Sequence, residues 1–407
     1  MRDRAARVIA ECRRIAAMSE DSKHITRRFL TPPVHDVHAH LRARMETLGM
    51  TVRVDAAGNL RGMWQPASAD SRRLMMGSHI DTVPNAGAYD GVLGVAIALE
   101  WIELAQELAL TMAIEVVAFS EEEGVRFGVP FIGSRIVAGR FDPALLELKD
   151  AEDITLETAI RAFDLDPGQI GNAAVDDRVL GFVEIHIEQG PVLDAERLSV
   201  AAVSGIVGQT RLSLEFTGHA NHAGTTPMLL RRDALAAAAE WIAAVEALAL
   251  RTKGLIATVG KIAVLPNAGN VVPGTAQVSL DVRHLNDATR TEAVETLLAN
   301  ADAMAKRRGL ALKYVRQMEQ SAVPMDEQLT AFMAESIEAA GFPPRMMPSG
   351  AGHDAMVMAA RMPTAMLFLR SPGGVSHHPD EAVLEEDIEA ALHVGRKFLE
   401  RLAAEVG

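Results

Sequence analysis

His79 and Asp81 stand in an H-x-D pair within the stretch GSHIDTVPNAGAYDGVLGV, Gly77 to Val95, and Asp90 follows nine residues after Asp81. The stretch comes directly after the apolar residues Leu74 to Met76. An imidazole and two carboxylates placed there suit a strand that delivers ligating or acid–base groups to its C-terminal end. Three further runs repeat the arrangement. Met112 to Phe119 leads into SEEEG, Ser120 to Gly124. Arg178 to Ile185 leads into His186 of EIHIEQGP. Pro363 to Leu369 leads into SPGGVSHHPDE, with His377 and His378. Imidazoles and carboxylates without a thiolate suit Zn, Mn, Co or Ni. Acids gathered at one place repel one another unless protons or a cation offset them, and a pair of metal ions does so. Each motif alone is common without any metal. Their joint occurrence at four strand ends is what points to a metal centre.

Those strands need a domain large enough to hold them. The chain has 407 residues, 49% hydrophobic and 23% charged, enough for a sizeable core and for roughly two to three domains. The net charge of −14 provides no basic field to displace counterions from phosphates, so a nucleic-acid partner is not expected. Cys12 is the single cysteine, which excludes an internal disulfide and a cysteine-based zinc site. Charges interrupt every apolar run of MRDRAARVIAECRRIAAMSED, and no segment approaches the ~18 apolar residues that span a membrane. A cytoplasmic protein with no membrane partner is expected.

Helical spacing predicts helices over Arg2 to Ala17 and, with Thr31 as N-cap, Pro32 in the first turn and Gly49 as stop, over the next segment. Strands are expected at Thr51–Asp55, Asn59–Met63 and Leu74–Gly77, and a long helix at Gly91 to Leu108. The alternation predicts an α/β domain with a mixed, mainly parallel sheet. The pattern changes near Gly208. TRLSLEFTG alternates like a half-exposed strand, and an Ala-rich helix is expected from Thr226 to Leu250. Strands at Ile256–Val264 and Ala276–Arg283, a helix at Thr289 to Arg308 and a strand at Ala311–Arg316 complete the unit. This β-α-β-β-α-β order is a split βαβ, ferredoxin-like α+β unit. The expected organisation is a domain of residues 1–208 and 322–407 with residues 209–321 inserted.

One cluster competes with these motifs. VHDVHAH supplies His35, Asp36, His38 and His40 on the early helix, where His35 and His38 share a face by i, i+3 spacing. It is read as a solvated or partly packed helix face.

The motifs GSHIDTVPNAGAYDGVLGV, FSEEEGVRFG, HIEQGPVLD, GHANHAGTTPM, NVVPG, DVRH, SGAGHDAM and GVSHHPDE occur in an order that resembles the M20 metallopeptidase-like amidohydrolases, from about residue 20 to 400. Within them the chain resembles the hydantoinase/carbamoylase subgroup: N-carbamoyl-L-amino-acid hydrolases, allantoate amidohydrolases and β-ureidopropionases. The resemblance implies a metallo-exopeptidase-like catalytic domain with an inserted lid and dimerisation domain, and two divalent ions per subunit. It implies that His79, Asp90, Glu123, His186 and His377 are the ligands, with Asp90 bridging. Glu122 is then the general base, Asp81 orients His79, and His378 is a neighbour. Gln209, His222, Asn270, Arg283, Gly352 and His353 contact substrate, His222 at the oxyanion. Arg283 also has a plainer reading, a strand-face charge paired with an acid. The implied reaction is hydrolysis of the carbamoyl C–N bond of a small ureido acid by a homodimer. Allantoate or N-carbamoyl-β-alanine is the alternative substrate. An aminoacylase or dipeptidase of the wider group, and a catalytically dead binding protein on the same fold, are the competing readings.

Overall fold

The computed structural model describes residues 1–66 and 72–406. Backbone contacts divide the chain into Met1–Ser204 with Met325–Gly407, and Gly205–Pro324. These limits lie three or four residues from those read in the sequence.

The larger unit is built on a mixed sheet. Its strands run in the order Thr51–Val54, Leu60–Trp64, Ala113–Phe119, Arg73–His79, Val179–Ile187, Thr364–Leu369 and Val200–Ile206. The four from Ala113–Phe119 to Thr364–Leu369 are mutually parallel, and the flanking pairs are antiparallel. Arg73–His79, Ala113–Phe119 and Thr364–Leu369 are buried along their whole length. That is why they read as continuous apolar runs rather than alternating ones: helices cover both faces of a parallel sheet. The helix Val92–Glu107 is one such cover, with thirteen of its residues buried. It starts at Gly91, whose φ is 66° and where a Cβ would fall 2.5 Å from the His79 ring. Only glycine permits both the left-handed turn and that approach.

Four parallel strands place four C-terminal ends along one edge. Phe119, His79, Ile187 and Leu369 end neighbouring strands in that spatial order. The strand ending at His79 runs two residues past the expected end at Gly77, so the imidazole sits on the sheet rather than in the loop.

Gly205–Pro324 holds a second sheet of antiparallel strands, ordered Ile262–Leu265, Thr275–His284, Gly208–Thr217, Ala311–Gln320. The helices Ala234–Arg251 and Asp287–Arg308 are inserted among these strands, and Asn221–His222 pairs with Val271–Val272 in a separate two-stranded sheet. Trp241, Leu297 and Ala301 sit in its separate core, and Trp241 Nε1 donates to Leu297 O at 2.8 Å.

Three expectations are corrected by this architecture. The Ala-rich helix begins at Ala234, not Thr226, because Asp233 caps it through Ala236 N. Arg231 holds the preceding segment as a loop by donating to Thr226 O and Ala223 O. The expected strand Ile256–Val264 divides into Ile256–Thr258 and Ile262–Leu265 around Gly260, both pairing with Thr275–His284. The last strand runs on to Gln320 through a bulge between Arg316 and Met318. Among the described residues no helix is long and apolar enough to cross a membrane.

Candidate metal centre and active site

The edge formed by the four parallel strands carries the site. His79 Nδ1 faces Asp81 O at 3.0 Å and Asp81 Oδ1 at 3.5 Å. His186 Nδ1 faces Ile187 O at 2.9 Å. An acceptor at Nδ1 fixes the proton there and leaves the Nε2 lone pair outward. The two Nε2 atoms are 3.4 Å apart, and Asp90 Oδ1 lies 3.2 Å from His186 Nε2 and 3.8 Å from His79 Nε2. Two lone pairs and a carboxylate that converge in this way are matched by a cation. The other Asp90 oxygen lies 3.1 Å from His377 Nε2, itself 3.6 Å from Glu123 Oε1. That Glu123 oxygen is buried without a hydrogen-bond partner. The ligating atoms of His79, Asp90 and His186, and those of Asp90, Glu123 and His377, each lie within 4.8 Å of one another. The donor set therefore fits divalent cations, and Asp90 belongs to both groups.

Asp81 ties this cluster to the acidic turn. Its Oδ1 accepts Glu122 N and its Oδ2 accepts Glu123 N, both at 3.0 Å. Burial pushes the Glu122 carboxyl well above its ordinary range, and pushes Glu123 up to about 7, with Asp90 adding to the shift. Burial also drives the His186 imidazolium down to about 4. Burial opposes ionisation of Asp90 too, but His377, His186 and His79 outweigh it and hold that carboxyl well below the usual range. Glu121 Oε1 accepts Gly124 N, within the same turn.

The cavity holds about 200 Å³. His79, Asp90, Glu122, Glu123, His186 and His377 form its polar wall, while Pro130, Phe131, Ala351 and Gly352 form its apolar one. Gly352 thus stands where a substrate contact was expected. His353 does not line the cavity. It is buried behind His186 with ring centroids 4.5 Å apart, also touches Phe368, and its Nε2 meets Ser349 Oγ at 2.8 Å. His353 thus packs against the back of His186, while Gly352 beside it lines the cavity. His378 is exposed and 3.6 Å from Asp380. The histidines of the early helix are packed: His35 stacks on Phe163 at 3.7 Å, His38 meets the same ring edge-on, and His40 bonds Glu11.

In the smaller unit the expected substrate residues form two pairs. His222 pairs with Val271 across a short ladder, and Asn270 O accepts Ala223 N. Gln209 faces Arg283 in register, and both donate to Asp281: Gln209 Nε2 at 2.6 Å, Arg283 Nε at 3.0 Å and Nη2 at 3.1 Å. The Arg283 fork expected for a substrate carboxylate is thus engaged by Asp281.

Two residues inside the quoted motifs went unassigned in the sequence. Gln189 of HIEQGP donates Nε2 to both Asp90 oxygens at 3.2 Å. Glu381, which ends SHHPDE, accepts Asp90 N at 3.0 Å. Their places in the motifs were the available signal.

Residues 75–401 match the model of peptidase family M20/M25/M40. The chain belongs to that family. It is 38% identical to the N-carbamoyl-L-amino acid amidohydrolase of Geobacillus stearothermophilus, over 92% of each chain. It is 34% identical to the allantoate amidohydrolase of Bacillus subtilis, over 93% of each. A crystal structure of a hydantoinase/carbamoylase family amidase from Burkholderia multivorans superposes with a TM-score of 0.91 at 32% identity, covering 98% of this chain and 97% of that one. The M20 resemblance read from the motifs, with its hydantoinase/carbamoylase subgroup, is therefore correct, and so is the mixed α/β fold it implied.

Proposed function

We propose that this M20 family member hydrolyses the ureido C–N bond of an N-carbamoyl-L-amino acid or a similar ureido acid. One water is consumed, and ammonia, carbon dioxide and the amino acid are released. The observation that carries this is the pair of ligand triads sharing Asp90, set beside a buried carboxyl, Glu122, that belongs to neither triad and whose oxygen lies within 4.8 Å of ligating atoms of His79 and Glu123. The N-carbamoyl and allantoate relatives support the substrate class, and the likeness to the latter keeps allantoate as the alternative.

His79, Asp90 and His186 would hold one ion, and Asp90, Glu123 and His377 the other; Mn, Zn, Co and Ni all suit this donor set. When bound, the ions would supply Lewis acidity and lower the pKa of water, which the poorly electrophilic ureido carbon requires. Glu122 takes the proton of the attacking water and returns it to the leaving nitrogen, a task suited to a carboxyl that burial pushes well above its ordinary range. Asp81 keeps His79 in the tautomer that presents Nε2 and fixes the turn bearing Glu122. Gln209, Asn270 and Arg283 bind the substrate's polar groups, and His222 donates to the developing oxyanion.

The inserted unit acts as lid and dimer contact in this reading. Met228, Leu229 and Leu230 are 74%, 98% and 73% exposed, and Ile262, Leu265, Tyr314 and Val315 of the same unit are exposed as well. Apolar surface gathered in one unit supports a partner, and a second copy of the chain is the proposed one. A screen of ammonia release from N-carbamoyl-L-amino acids, N-carbamoyl-β-alanine and allantoate tests the function. Release from none of them, with cleavage of N-acyl amino acids or dipeptides instead, would transfer the chain to the aminoacylase reading.

A further inference from the structure

Glu381 is a buried carboxylate that touches two arms of the metal centre and ligates neither triad. Its Oε1 accepts the backbone N–H groups of Tyr89 at 2.9 Å and Asp90 at 3.0 Å. Its Oε2 accepts Ser376 Oγ at 3.2 Å, and its own N–H donates to His378 O at 3.0 Å. One side chain therefore ties the loop that carries Asp90 to the loop that carries His377. The seat is closely fitted: a Cβ at Gly87 would lie 2.4 Å from both the Cβ and the Oε1 of Glu381. No cation accompanies this carboxylate among the bonds that hold it, so its charge is not what the surrounding groups match. They match its shape, with two acceptor oxygens aimed at two loops.

We infer that Glu381 is a positioning residue that sets the spacing between Asp90 and His377, and so controls the affinity of the ion shared by Asp90, Glu123 and His377. The ion between His79, Asp90 and His186 depends on it less, because His79 and His186 end sheet strands that Glu381 does not touch. This inference rests on the two-ion reading of the centre. Outer partners of this kind typically alter metal affinity by about 10–100-fold.

The test is ion retention by the full chain loaded with zinc, read by elemental analysis and by titration with a chromogenic chelator. Wild type should hold two zinc ions. Glu381→Ala should bind one ion about 10–100-fold more weakly and lose clearly less affinity for the other. Glu381→Gln should hold both, since an amide oxygen still accepts the two N–H groups and the NH2 still meets Ser376 Oγ. Glu381→Asp, which keeps the charge but shortens the arm, should behave like the alanine variant. Two ions at unchanged affinity in Glu381→Ala, equal weakening of both, or a Glu381→Gln variant as weak as alanine would each overturn the inference. Should Glu381→Ala fail to fold, Ser376→Ala decides: it removes the Oε2 contact together with one of the bonds donated by Gln189 Nε2, at 3.2 Å, and should weaken the same single ion at an unchanged melting temperature. Unaltered affinity there overturns the inference equally. Wild-type protein that binds fewer than two ions would instead contradict the two-ion reading itself.

Discussion

Asp81 accepts the backbone N–H of Glu122 at 3.0 Å through Oδ1, the oxygen that also lies 3.5 Å from His79 Nδ1. One buried acid thus aligns a ligand ring and the turn that bears the proposed base. Asp81→Asn replaces one acceptor by a donor and leaves a backbone N–H unpaired. Its kcat should fall about 10–100-fold with little change in KM. Glu122→Gln should retain both ions and lose about 10²–10⁴-fold in kcat, the usual worth of a general base. Glu121→Gln should stay active, because its amide oxygen can still accept Gly124 N–H. Steady-state kinetics beside ion analysis check all three. A normal Glu122→Gln with a dead Glu121→Gln would move the base by one residue.

Arg283 gives a second test. Asp281 now occupies its fork, so a substrate carboxylate must compete for it or join it. Arg283→Lys keeps the charge and loses the two-pronged geometry. KM should rise about tenfold, equivalent to ~1.4 kcal/mol of lost binding, at constant ion content. An unchanged KM would reduce Arg283 to a strand-face ion pair with Asp281.

The candidate edge was legible because continuous apolar runs lead into the segments that carry its residues. Parallel strands buried on both faces announce themselves, and the residues at their C-terminal ends land on one edge. Asp90, Glu123, His186 and His377 could be placed on that logic and on motif order. Gln189 and Glu381 could not, since a carboxamide and a trailing acid have no ligand spacing of their own. The packing of His353 was not legible for a related reason: GAGHDAM places an imidazole near the cavity, and only the tertiary structure shows it stacked behind His186. The Ala-rich helix was read too long because alanine and leucine favour helix whether or not a cap stands upstream. The side-chain bonds of Arg231 and Asp233, which decide the start, depend on tertiary geometry.

His38 supplies a prediction on pH and stability. Burial pushes its pKa down from 6.5 to about 4. Its unfolded pKa therefore lies above the folded one. Above pH ~6.5 both states are neutral and the residue has no effect. As pH falls from ~6.5 toward ~4 the unfolded chain takes up the proton first, and stability is lost, by at most about 3 kcal/mol. The denaturation midpoint should drop less between pH 7 and pH 5 in His38→Asn than in wild type. Parallel pH profiles for the two would refute this.

The proposed dimer makes a prediction about subunit mixing. If His222 serves the partner's centre, inactive Glu122→Gln and inactive His222→Ala chains should recover activity when mixed, since each mixed dimer regains one intact site. No recovery, with subunit exchange demonstrated by differently tagged chains, would confine each site to a single chain.

The central claim is hydrolysis of a ureido acid at a centre held together by Asp90, and ammonia release measures it most directly. Protein stripped by a chelator should release none from N-carbamoyl-L-amino acids. Adding back Mn, Zn, Co or Ni should restore one ammonia per amino acid formed, and Asp90→Ala should restore nothing. Full turnover in protein shown by elemental analysis to be free of metal, or an active Asp90→Ala, would contradict the account.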